Sequence, residues 1–147
     1  MTKTLSELIQ QKEELLRRLL PISVRQLEIV RQSDLTTLLP HLARKQRLMN
    51  EFEIIEQQLV PFQNIPPEER KWNNKTEQQE TSAAIDRCAV MLEEILRNDS
   101  TSMDELSVQK TEVEEQLRRV RQGSQVFSAY AKQTNMGNTK HFNMSES

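Results

Sequence analysis

Along this 147-residue chain apolar positions recur at intervals of three and four, the spacing of one helix face, with almost no strict alternation of the kind a strand needs. Thr4 stands three residues before Glu7, a capping-box spacing that pairs two otherwise orphan backbone N–H groups. Behind it run Leu5, Leu8, Leu15, Leu16, Leu19, Leu20, Val24, Leu27 and Val30, which predict a helix over 5–33. Pro21 falls inside. It removes one backbone hydrogen bond at a cost of about 3 kcal/mol, but the stripe keeps its phase from Leu20 to Val24, so the reading is one kinked helix rather than two. Ser33 or Asp34 can cap a second helix over 34–60, with the stripe Leu35, Leu38, Leu42, Met49, Phe52, Ile55 and Leu59 and with Pro40 disturbing its early turns. So short a connection implies an antiparallel hairpin.

Pro61, Pro66 and Pro67 end that pattern, and "RKWNNKTEQQE" is too polar to bury much surface, so 61–81 reads as a loop or linker. Trp72, inside it, is expected to fold back on the hairpin; the other reading is an exposed anchor for a partner. From Ile85 the three-four spacing sharpens through Cys88, Leu92 and Ile95. After "NDSTS" it resumes at Met103, Leu106, Lys110, Val113, Leu117, Val120, Ser124, Phe127 and Ala131, a heptad pattern whose phase slips across the polar break. Ser102 with Glu105 could cap a new helix there. Asp, Ser and Thr each lose only about 0.5 kcal/mol against Ala in a helix, so packing can override them, and one helix over 82–132 is favoured. Residues 134–147 have no period and are expected to be a disordered tail. The sum is an all-α fold: an elongated antiparallel hairpin or bundle of three long helices, four if the third breaks, packed like a coiled coil in one domain over 1–133.

Composition narrows this further. The chain is 35% hydrophobic, below the roughly 45–50% apolar share of ordinary globular domains, so the core must be thin. A net charge of −2 gives no general attraction to nucleic acid or to an anionic membrane. Arg118, Arg119 and Arg121 cluster where cations complement a helix C-terminus, which reads as a solvated face. A single cysteine suits a reducing compartment, and the N-terminus lacks the basic, apolar and small-residue regions of a signal peptide, so a cytoplasmic location is expected. No apolar run approaches the roughly 18 residues needed to span a bilayer.

Catalytic groupings are not evident. His41 and His141 have no Cys, Asp or Glu at ligand spacing; Cys88 sits on a seam with no histidine near it in sequence; Gly123 and Gly137 stand alone rather than in a phosphate-binding turn. Pairs such as Glu93 with Glu94 and Glu114 with Glu115 line wet helix faces. The expectation is a protein that is not an enzyme and uses no metal or cofactor. What remains is surface: two or three singly striped helices cannot hide every apolar residue among themselves. An amphipathic helix from a partner is the simplest cover, and homodimerisation as a plain coiled coil is the alternative. Met49 and Met103 on the seams, with Met91 beside one, offer adaptable contacts of the kind promiscuous surfaces use, although core methionines do the same.

The order of a long leucine-paired first helix, "QSDLTTLLPHLARKQRLMNEFEIIEQQL", a proline-bearing loop and "CAVMLEEILRNDSTSMDELSVQKTEVEEQLRRVRQGSQVFSAY" resembles the bacterial flagellar export chaperones of the FlgN type, over most of residues 5–131. The resemblance lies in architecture and apolar spacing, not in an invariant motif. It implies a cytoplasmic chaperone that binds the C-terminal amphipathic helix of hook-associated filament proteins, prevents premature polymerisation and delivers the cargo to the type III export gate. Cargo contact would then fall on Leu106, Val113, Leu117, Val120 and Phe127, and gate docking on Tyr130, the only tyrosine. Pro21, Pro40 and the polar "NDSTS" depart from the pattern.

Overall fold

The computed structural model describes residues 3–133, which form three α-helices, α1 Leu5–Arg31, α2 Leu35–Gln63 and α3 Lys75–Gln133, with a 3-10 turn at Pro67–Glu69 between α2 and α3. No strand occurs among the described residues. The chain divides into two compact units between Glu105 and Leu106.

In the first unit, the direction of each helix can be read from its cross-contacts. Lys12 pairs with Glu56 at 2.8 Å, while further along α1 the Ile22 carbonyl meets His41 at 2.8 Å and Gln26 accepts from Lys45 at 2.9 Å, so the first half of α1 lies by the end of α2 and its second half by the start of α2: the pair is antiparallel. Between α1 and α3 the order is the reverse. Arg87 binds Glu13, Asn98 binds Ser23 and Arg31 faces Glu105, each pair 74 or 75 residues apart, so these two helices run parallel. Their common core holds Leu8, Leu16, Leu19, Phe52, Leu59, Cys88 and Ile95. Fully burying a leucine or isoleucine is worth about 1.5–3 kcal/mol.

Helix ends follow local chemistry. The Thr4 hydroxyl accepts from Glu7 N–H at 3.2 Å and starts α1. At its other end Ser33 adopts φ 56°, with Ser33 N–H bonded to Val30 O and Asp34 N–H to Ile29 O. Those two bonds make a Schellman closure, a task glycine usually performs. Asp34 then caps α2 by accepting from Thr37 N–H. Pro61 does not end α2, which continues to Gln63. In the last turn a proline forfeits one backbone bond but keeps a helical φ, so the stop comes from Asn64 and from Pro66 just beyond. Likewise α3 begins at Lys75, not near 82, because Asn74 accepts from Glu77 N–H at 2.8 Å and so starts a helix in a polar run. The connector is therefore only residues 64–74. Trp72 does fold back, half-buried against the core.

Three parts of the expected stripes are corrected. After Pro21 the buried line of α1 passes through Ser23 and Gln26 before reaching Ile29 and the expected Val30, and Val24 is 45% exposed, because steps of four and three from Leu19 land on two polar residues. On α2, Leu48 is buried while Met49 is only half so, and Leu35 is exposed. On α3 the helix crosses "NDSTS" without a break, and the buried line keeps its phase from Ile95 through half-buried Asn98 and Asp99 to buried Ser102. Met103, expected on the seam, is 65% exposed.

Candidate partner-binding surfaces

The residues singled out for cargo contact fall in the second unit, on the part of α3 from Leu106 onward. This stretch is held by pairs within the helix: Lys110 with Glu114 at 3.9 Å, Arg118 and Arg119 with Glu115, and the Thr111 hydroxyl donating to Ser107 O at 3.1 Å. At 100° per residue Leu106, Val113, Leu117, Val120 and Phe127 lie within an arc of about 80°, and Tyr130 stands about 60° beyond Phe127. Leu106 is half-buried. Val113, Leu117, Val120 and Phe127 are 36–57% exposed, and Tyr130 62%. The stripe is thus continuous and largely open to solvent. A single helix in water is marginal by its own propensity and gains most of its stability by covering such a face.

The first unit carries its chemistry in a buried polar band that the apolar pattern gave no reason to expect. Lys45 Nζ reaches both Gln26 Oε1 and Asp99 Oδ1, Asn98 donates to the Ser23 hydroxyl at 3.1 Å, and Ser23 donates in turn to Leu20 O at 2.8 Å. Ser102 Oγ is buried there without a hydrogen-bond partner among the described residues. The sequence signal was the heptad count itself, which runs from Ile95 to Asp99 and Ser102; polarity at those positions argued against them. At the opposite end Glu13, also buried, accepts two hydrogen bonds from Arg87 and lies 3.4 Å from Arg17. The Arg87 hydrogen bonds hold its carboxyl below the ordinary value, against the opposing effect of burial. Burial pushes the Cys88 thiol up, which leaves it a small packed hydrophobe with little thiolate. His41 Nε2 donates to the Ile22 carbonyl, next to the proline. Among the described residues no group of three His, Cys, Asp or Glu side chains is placed to hold a metal ion, and no helix is long and apolar enough to cross a membrane. His141 and the expected tail lie outside the described residues.

A third feature was not singled out in the sequence. Where α1 passes Pro21, the furrow between α1 and α2 is lined by Arg17, Arg18, Arg44 and Arg47, with Ile22 and Leu48 beneath and Glu51 at one end. No sequence pattern marks it, since arginines 26–30 positions apart meet only when the hairpin closes. Compared with protein-family models, with curated proteins and with solved structures, the chain matches none.

Proposed function

We propose that this protein is a non-enzymatic, cytoplasmic flagellar type III export chaperone of the FlgN kind. Its 106–133 face takes the C-terminal amphipathic helix of a hook-associated filament protein, and Tyr130 takes part in docking the loaded complex at the export gate. One observation carries the reading: Val113, Leu117, Val120 and Phe127 form a single stripe that stays 36–57% exposed. Covering four half-exposed side chains is worth on the order of 4–5 kcal/mol from this chain, with a similar contribution from the cargo's apolar face. After an association cost of at least about 4 kcal/mol, what remains corresponds to binding no tighter than tens of micromolar.

The 3-4 spacing of the same stripe also suits a two-stranded coiled coil, so a structural homodimer is the second reading. Sedimentation at several concentrations, alone and with a synthetic C-terminal helix of a hook-associated protein, separates the two. A chaperone stays monomeric or exchanges its self-contact for cargo; a structural dimer keeps its mass and leaves the peptide unbound. Leu117→Asp should abolish cargo binding by calorimetry. Tyr130→Ala should spare cargo affinity and lower export of the cargo in cells, and the opposite pattern would reverse the two roles.

A further inference from the structure

The α1–α2 furrow offers something the 106–133 face does not: concentrated positive charge over an apolar floor. The chain as a whole has 20 basic against 22 acidic residues, yet at Pro21 four arginines face one glutamate. All four are exposed. Only Arg17 is engaged, with Glu13; Arg18, Arg44 and Arg47 make no hydrogen bond or ion pair among the described residues. Arg18 and Glu51 also line the adjoining stretch of the furrow, where Leu15 and Ile55 form a buried floor and Ile54 is 57% exposed. Charge at one end and uncovered apolar surface at the other therefore share one track.

We propose that this furrow is a docking site for an acidic amphipathic peptide segment of a protein partner, its carboxylates taken by Arg17, Arg18, Arg44 and Arg47 and its apolar side chains laid on Ile54. Guanidinium groups present paired N–H donors that match a carboxylate, and those of Arg18, Arg44 and Arg47 have no side-chain partner among the described residues. The arginines span about 1.5 Å of rise on α1 and about 4.5 Å on α2, within a furrow lining that runs about 8–10 Å along each helix, room for about two carboxylates. Four arginines neutralise few phosphates, so little of the counterion release that drives polynucleotide binding is on offer, and Glu51 would repel a continuous phosphate backbone. A small inorganic anion would leave the apolar track uncovered. The site is independent of the cargo reading, since it lies on other helices.

The test uses the full chain and a labelled helical peptide with leucines along one face and glutamates on successive turns at one end, beside the same peptide with glutamines. Fluorescence anisotropy should show the glutamate form binding at least about tenfold tighter, a difference of 1.4 kcal/mol. Binding should weaken as salt rises from about 50 to 300 mM. The double reversal Arg44→Glu with Arg47→Glu should remove the preference while circular dichroism stays unchanged, and Leu117→Asp should leave it intact. Equal binding of the two peptides, a preference that survives the double reversal, or displacement of the peptide by millimolar phosphate or by vesicles of anionic lipid would overturn the proposal. So would a self-association that the double reversal dissolves, which would assign the furrow to a second copy of this chain.

Discussion

Single residues in this protein fall into those whose role is set by neighbours in sequence and those set by neighbours in space. Glu13 is of the second kind: in the sequence it is one more acidic residue near a leucine pair, and only folding brings Arg87 to it across 74 positions. Its carboxyl is held low by the Arg87 hydrogen bonds, with Arg17 contributing, so the folded form releases its proton more readily than the unfolded chain. The resulting stabilisation is complete above the unfolded carboxylate value, near pH 4.3, and is lost as pH falls through the lower folded value. Urea titrations between pH 6 and pH 3 should therefore show a shallower loss of stability in Glu13→Gln than in the parent, with the two converging at the acid end. Thr4, Asp34 and Cys88 were legible because capping and seam position are local properties. Ser23, Gln26 and Ser102 were not, since burial of a polar side chain depends on what another helix supplies or fails to supply.

Among the elements, the turn between α1 and α2 makes the clearest test. Ser33 occupies a left-handed conformation that costs a side-chain-bearing residue roughly 1–2 kcal/mol, while glycine there gives back about 0.5–1 kcal/mol in unfolded-state freedom. Ser33→Gly should accordingly raise the unfolding free energy by up to about 1 kcal/mol, read from the denaturant midpoint with an unchanged slope. Helix existence and type came through from the 3.6-residue period, because a stripe of leucines can be buried in few other ways. The ends of the connector did not: Pro61 and the polar run after Lys75 looked like breakers, and their tolerance depends on a turn's position within a helix and on Asn74 as a cap. The unbroken passage of α3 through "NDSTS" follows from the same polar band, whose partners on α1 and α2 hold those residues inward.

For the molecule as a whole, the division at Glu105 separates a unit in which three helices cover one another from a stretch of helix whose stripe Val113, Leu117, Val120 and Phe127 is 36–57% exposed. Amide hydrogen exchange should reflect this, with α1 protected by cooperative opening of the core and 106–133 exchanging orders of magnitude faster, then slowing when a cargo helix is added. If 106–133 is as protected alone as α1 is, the open face is already occupied, and the chaperone reading fails with it. The position of the stripe and the expectation of a surplus apolar face could be read in the sequence; how far each of its residues is exposed could not. Periodicity says which residues share a face, and only the count of packed neighbours says whether the face is closed.

The parallel course of α1 and α3 places no covalent link between them except the eleven or so residues from 64 to 74 and the α2 leg. A protease nick in that connector would leave two fragments with nothing but side chains to rejoin them. Buried positions repeat every seven residues and would let the α3 fragment settle a heptad out of place, about 10 Å along, with the same face inward. Lys45 forbids this, because the same slide exchanges Asp99 for Leu92 and strands an ammonium against a leucine. The polar band thus behaves as a vernier, and severed halves of this protein should recombine in one alignment only.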